Sequence, residues 1–199
     1  MSDDGTFRSA LLVLFMVVVP IAAFYRIRSQ MTRERLDRRQ EGLLVLWTLR
    51  PIGLAGMVGL ILYLVNPDLM RWSSMPLPVW LRWTGIGVGA VTGAFLFWTL
   101  HSIGRNLTDT VVTRKVHTLV THGPYRFVRH PFYIAVILLI VTNSLAAANW
   151  FILLTGVLGV ALLVFRVEKE EALLVARFGD DYRAYMASTN RFWPGRRSR

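Results

Sequence analysis

The chain has no cysteine among its 199 residues, which excludes a disulfide framework, a thiolate metal site and a thiol nucleophile, and leaves the redox compartment unreadable. Acidic residues are scarce, 12 Asp and Glu against 23 Lys and Arg, for a net charge of +11. That balance could point to nucleic acid, but almost every basic residue lies in a segment beside an apolar run. The pattern is one of membrane topology, and no nucleic-acid partner is expected. The spacing needed for a metal is also missing: His117, His122 and His130 lack the i, i+4 helical separation and the carboxylate company of a typical zinc site, so no metal is expected. The glycine-rich stretch Gly85-Ile86-Gly87-Val88-Gly89, continuing to Gly93, lies inside an apolar run and does not follow a strand. It reads as small-residue helix packing and not as a nucleotide loop. The first apolar run has an acidic flank, Asp3 and Asp4, and no small-residue cleavage site after it, so an uncleaved helix is expected over a signal peptide.

What the chain does have is apolar length. Hydrophobic residues make up 54% and the mean hydropathy is +0.44, too apolar for an ordinary soluble domain of this size. The expected fold is an all-α integral membrane protein with five transmembrane helices forming one domain, 1–199. Three spans fall in the first part, about 1–103: roughly Phe7 to Tyr25, Leu43 to Val65 and Val79 to Ile103, the last two long enough to cross a core of about 30 Å at about 1.5 Å per residue. In the second part, 104–199, the apolar stretch Phe132 to Val167 is too long for one span, and Asn143-Ser144 with Asn149-Trp150 marks a turn, predicting a helical hairpin. With the amino terminus outside, 19 of the 23 Lys and Arg fall on the inner side and only Arg8, Arg71 and Arg82 on the outer. The positive-inside rule then places the 104–131 loop and the C-terminal tail in the cytoplasm. The Arg-rich run Met31 to Gln40 reads as topology, with anionic headgroups as the other possibility. Arg50, followed by Pro51, is either a snorkelling side chain or a group facing a polar cavity.

The densest polar segment runs from Lys115 to Tyr133 and places three His and two Tyr between two apolar spans. Such an interlude at a membrane face is a candidate site. In the tail, Arg166-Val167-Glu168-Lys169-Glu170-Glu171 continues the last span without a breaker, and Arg166 and Glu170, four apart, share one helical face. They form either a surface ion pair or a fixed pair of charges lining a cavity, with Arg offering two N–H groups to a carboxylate. Gly179 stands where that helix could end, and Tyr182, Tyr185, Phe192 and Trp193 could seat an amphipathic segment at the interface.

Taken together, His117-Thr118-Leu119-Val120, Gly123-Pro124-Tyr125, Arg129-His130-Pro131-Phe132-Tyr133, then Arg166, Glu170-Glu171, Phe178-Gly179, Tyr182 and Tyr185 resemble the isoprenylcysteine carboxyl methyltransferase family and its small prokaryotic relatives, which are related to the phospholipid methyltransferases. The resemblance covers roughly Ile103 to Pro194. It implies an S-adenosylmethionine-dependent methyltransferase acting at the membrane interface on a small lipophilic or lipid-like acceptor. It also implies a cofactor site at His117, Thr118, Leu119, Val120, Tyr125, His130, Pro131, Phe132 and Tyr133, with Arg166 and Glu170 facing the acceptor, and Asn106 as a further pocket position. Eukaryotic members have additional amino-terminal spans and a longer acidic run where this chain has Glu168-Lys169-Glu170-Glu171, so the acceptor stays open. A carboxylate acceptor needs no general base, whereas an amine or thiol must lose a proton, to Glu170 or a loop His. The other readings to be tested are an NADPH-dependent membrane reductase and a non-enzymatic scaffold or transporter component.

Overall fold

The computed structural model describes residues 3–30, 43–104 and 118–195. Among these the secondary structure is helical: α1 Asp3–Gln30, α2 Leu43–Val65, α3 Val79–Ile103, α4 Pro131–Ala147, α5 Trp150–Phe178 and the short α6 Asp180–Ser188. Short 3-10 turns occupy Pro67–Ser73, between α2 and α3, and Gly123–Arg126, before α4. Four helices, α1, α2, α3 and α5, are long and apolar enough to cross a membrane, and α4 is a shorter apolar helix. The chain is a multi-pass membrane protein.

Each expected apolar run becomes a helix because its side chains have somewhere apolar to go on every face. The outward surfaces are bare Leu, Val, Ile, Phe and Trp, as at Met16, Val17, Leu54, Val91 and Phe165, which suits a lipid environment. Pro20 and Pro51 are accommodated inside α1 and α2. Arg50 is exposed, as a snorkelling side chain would be.

Glycine sets the closest helix approaches. A Cβ at Gly85 would stand 2.8 Å from the Thr142 carbonyl of α4, one at Gly93 2.9 Å from Val18 of α1, and one at Gly156 of α5 2.0 Å from Ile140 of α4. The glycine-rich stretch of α3 therefore packs helices, with the exception of Gly87, which faces no neighbour.

The hairpin between α4 and α5 forms, with its turn at the second of the two expected positions. Asn143 and Ser144 stay helical, and the chain reverses at Ala148, in the left-handed region at φ 49°, and Asn149. Asn149 is the better turn residue because its side chain does three jobs at once: it accepts from Ile152 N–H at the start of α5 and donates to Met70 O and Ser73 Oγ in the α2–α3 connection. Ser144 closes the loop by donating to Asn149 O at 2.9 Å. The hairpin tip and the α2–α3 connection thus lie together at one end of the bundle.

The same end contains a buried cation. Arg82 of α3 donates to Ala146 O at 3.0 Å, Asp4 Oδ1 at 2.7 Å and Tyr63 Oη at 3.1 Å, and its guanidinium lies 3.9 Å over the Phe7 ring. One side chain joins α1, α2, α3 and α4. Packed around it are Leu11, Leu60, Leu64, Met70, Ala147 and Ile152, while a second apolar cluster of Tyr25, Leu96, Leu100 and Ala135 fills the opposite end beneath the polar loop.

Candidate functional site

The opposite end of the bundle is where the polar sequence converges. Gly123, at φ +61°, turns the chain so tightly against α3 that a Cβ there would stand 2.2 Å from Ser102 Oγ. The 3-10 turn that follows buries Pro124 and Tyr125, and Pro131 then opens α4 at the first-turn position that tolerates a missing N–H.

Two carboxylates from consecutive residues of α5 divide the work. Glu170 is half-buried and accepts from the Tyr133 hydroxyl of α4 at 2.6 Å. Glu171 points about 100° round the helix from it and is the buried hub of a separate network. Its Oε1 accepts from Arg129 Nε at 2.9 Å and lies 3.2 Å from His130 Nε2, and its Oε2 accepts from Arg191 Nε at 2.9 Å. Arg191 adds a second contact, Nη2 to Oε2 at 2.7 Å, so the guanidinium grips that oxygen twice. Hydrogen bonding to Glu171 draws the already high pKa of Arg191 further up.

The C-terminal tail completes this end. Val128 pairs with Asn190 in a single parallel bridge, Arg129 N–H donates to Asn190 O and His130 N–H to Arg191 O. The Arg129 guanidinium also donates to the carbonyls of Met186 and Thr189. Phe192 packs against the His130 ring, with centroids 5.9 Å apart. From α6, Tyr185 Oη donates to Tyr125 O at 2.5 Å. Burial drives the phenols of Tyr125, Tyr182 and Tyr185 well above the ordinary tyrosine range, helped at Tyr125 by the charge of Glu170 and at Tyr182 by that of Glu171, and opposed at Tyr185 by Arg129.

The expected site residues are distributed as follows. Tyr125, Tyr133, Arg166 and Glu170 come together: Glu170 acts electrostatically on both tyrosines, and Arg166 on Tyr133. His130 lies beside them with its ring 5.4 Å from Tyr133 and its Nε2 turned to Glu171. Pro131 is buried at the start of α4, and Phe132 faces away, into the Tyr25 cluster. Thr118 is exposed, and Leu119 and Val120 are half-buried, in the non-helical approach to the loop turn. His117 and Asn106 lie outside the described residues. No grouping of three or more metal-binding side chains occurs among the described residues.

The hub had escaped the reading of single residues. Arg129 and Glu171 stood within recognised strings without a role, Arg191 was counted only as a topology charge, and Tyr182 and Tyr185 were expected at the interface. Both tyrosines are buried in protein, at 2% and 8% exposure, whereas Trp193 is open at 80%. A usable signal was present: two adjacent carboxylates on one helix point to different faces, so each needs its own partner.

Between the helices lies an apolar cavity of about 360 Å³, bounded by α1, α2, α4 and α5 with Gly89 of α3, whose lining begins one turn from this site, at Val136 and Leu163. Its α5 wall is Ile152, Gly156, Gly159 and Leu163, and the same three-and-four spacing continues to Arg166 and Glu170. On α4, Val136, Ile140 and Asn143 line it, one turn beyond Tyr133. The cavity and the charged residues lie along the same two helical faces.

Residues 85–176 match the model of the isoprenylcysteine carboxyl methyltransferase family. Over 87 residues the chain is 33% identical to the protein-S-isoprenylcysteine O-methyltransferase of Schizosaccharomyces pombe, a stretch that covers 41% of this chain and 36% of that one. The fold is similar to that of the eukaryotic intramembrane Ras methyltransferase, isoprenylcysteine carboxyl methyltransferase, with a TM-score of 0.54 and 17% identity. That likeness covers 94% of this chain and 64% of the solved one, so the chain spans under two thirds of the length of either relative. Tyr125, Tyr133, Arg166, Glu170 and Glu171 fall inside the matched segment, and α6 and Arg191 beyond it.

Proposed function

We propose that this chain, whose residues 85–176 match the model of the isoprenylcysteine carboxyl methyltransferase family, belongs to that family and transfers a methyl group from S-adenosylmethionine to the carboxylate of a lipophilic acceptor at the membrane interface. The observation that carries this reading is the alignment of Tyr133, Arg166 and Glu170 with the cavity-lining faces of α4 and α5, one turn beyond Val136 and Leu163. A polar reaction centre at the head of an apolar chamber suits an acceptor with a charged end and an oily body.

The residues present fit a sulfonium cofactor. Glu170 supplies negative charge beside the Tyr133 ring, and a cation is favoured next to both a carboxylate and an aromatic face. When bound, S-adenosylmethionine supplies a methyl on a positively charged sulfur, whose displacement by a carboxylate oxygen needs no base. Tyr125, His130 and the residues from His117 to Val120 would hold and enclose it, with Pro131 and Tyr133 forming the floor. Arg166 would present its N–H groups to the acceptor carboxylate and Glu170 would fix Tyr133, so that the protein contributes position and electrostatics and no covalent bond.

The topology follows the same frame. The hairpin tip meets the α2–α3 connection through Asn149 and through Met75 N–H on Ala148 O at 2.7 Å, which supports α4 traversing the bundle as a fifth span. With the amino terminus outside, the positive-inside count puts the loop and tail in the cytoplasm, where a water-soluble cofactor enters, while the acceptor arrives through the bilayer.

Calorimetric titration of the purified, detergent-solubilised protein with S-adenosylmethionine, S-adenosylhomocysteine and NADPH tests the reading. Saturable binding of the first two, weakened in Tyr133→Ala, is expected. Binding of NADPH alone would replace it with a reductase, and binding of none of the three with a scaffold.

A further inference from the structure

We infer that Gly159 sets the length of apolar chain the site accepts. The inference deepens the proposed methyl transfer and rests on it.

The α5 wall of the cavity contains two glycines three residues apart that do different things. At Gly156 the Ile140 side chain of α4 occupies the space a Cβ would need, 2.0 Å from it. Gly156 is a packing glycine. Gly159 is also buried, yet a Cβ at that position would meet nothing within 4 Å. Glycine inside a helix is unfavourable relative to alanine, so a buried helical glycine with no neighbour to make room for has no packing reason to be there. What it does is widen the chamber at the point where the two helices have parted. The exposed Gly87 of α3 shares the empty surroundings but faces outward, and so provides a control for the backbone effect of replacing glycine.

Position converts this into a ruler. Gly159 lies on the same face as Arg166, seven residues away, or about 10 Å along the helix. A chain attached to a group held by Arg166 must therefore pass Gly159 once it is longer than about 10 Å, counting about 1.5 Å of helix per residue. Beyond it, the cavity continues past Gly156 to Ile152 and Asn143. The space suits such a chain: roughly 150 Å³ of dry apolar cavity holds a benzene ring, and this one offers about 360 Å³. The occupant is the acceptor's own chain because the cavity's two lining faces, ending at Val136 and Leu163, reach Tyr133 and Arg166 with one further turn of α4 and α5.

The test is methyl transfer from labelled S-adenosylmethionine to N-acetyl-S-alkylcysteines bearing butyl, octyl, dodecyl and hexadecyl chains, with wild type, Gly159→Ala, Gly159→Leu and Gly87→Leu. The expected result is that the hexadecyl-to-butyl ratio of kcat/KM falls at least about tenfold in Gly159→Leu, falls less in Gly159→Ala, and stays at the wild-type value in Gly87→Leu. Gly159→Ala adds one methyl group in open space and favours the helix, so it answers the question even if the leucine variant folds poorly. A ratio unchanged in both Gly159 variants, with wild type active on the series, would overturn the ruler and leave the methyl transfer standing. A wild-type protein that binds the cofactor and methylates none of the series would overturn the proposed acceptor class, and the ruler with it. Equal loss for all chain lengths would mean that ordinary bilayer lipid fills the cavity, and would also overturn it.

Discussion

The bundle is held at its two ends by two buried charge clusters that use opposite signs. At one end the centre is a cation, Arg82, whose donors are taken up by Ala146 O, Asp4 and Tyr63 and whose flat face is covered by Phe7. At the other the centre is an anion, Glu171, surrounded by Arg129, His130 and Arg191. Both centres are compensated, as buried charge requires. The difference is in what stands next to them. No further ionisable residue continues the face of Arg82 toward the cavity, whereas one residue from Glu171 the helix presents Glu170, bonded to Tyr133, and four residues before that Arg166, both half-buried and one turn beyond the cavity lining. A satisfied buried charge is architecture. The proposed chemistry belongs to the pair that the architecture holds beside it, one turn beyond the apolar cavity.

The largest effect should come from breaking the second cluster. Glu171→Ala leaves Arg129, His130 and Arg191 facing one another, and removing one partner of a buried ion pair costs about 3–5 kcal/mol. Thermal unfolding in detergent should show that loss, and calorimetry should show weakened S-adenosylmethionine binding in whatever stays folded, since the loop and the tail are tied together through this carboxylate. A variant as stable as wild type would mean that the cluster carries no weight. Arg82→Ala is the counterpart. It leaves the Tyr63 hydroxyl and Ala146 carbonyl without their donor and should cost roughly 3 kcal/mol, but kcat/KM per folded molecule should stay within about twofold, as expected of a distant and independent site. A large fall in activity at constant fold would erase the contrast between the two ends.

A finer separation comes from Arg166→Lys. The charge is kept and the two-pronged geometry is lost, so activity should drop about tenfold to a hundredfold, roughly 1.4–2.7 kcal/mol in activation free energy. Stability should fall less than in Glu171→Ala, because no bond of the Glu171 network runs through Arg166. Unchanged kinetics would remove Arg166 from the acceptor site.

The legible and illegible parts of the sequence differ in the distance over which their physics acts. Apolar runs report helices locally, and α2 and α3 span the residues expected of them. Arg166 and Glu170 could be placed on one face by the helical period alone. The hairpin turn was expected over Asn143-Ser144 and Asn149-Trp150 together, and only the partners of Asn149 at Met70 and Ser73, more than 70 residues away, decide that the chain reverses at the second of these. The Glu171 hub was invisible for the same reason: its cations come from positions 129 and 191, on opposite sides of the hairpin. The cavity was beyond reach as well, because a packing glycine at 156 and a space-making glycine at 159 are identical until the neighbouring helix is in place.

The smallest of the expected effects addresses α6, which lies beyond the segment matched to the family. Tyr185 donates to the backbone carbonyl of Tyr125, and through that bond the tail reaches a residue of the proposed cofactor loop. Tyr185→Phe keeps the ring and its packing, and deprives a buried carbonyl of its donor, so stability should fall by about 1 kcal/mol. What decides its allegiance is the cofactor titration. If Tyr185 only braces the tail, the stability loss appears alone, as at Arg82. If it positions Tyr125, the Kd for S-adenosylhomocysteine rises severalfold with no change in the number of sites. We expect the second result, because Tyr125 sits between Tyr185 and Glu170 and has no slack in which to absorb a shift: its side chain is buried, and its turn is pinned to α3 at Gly123.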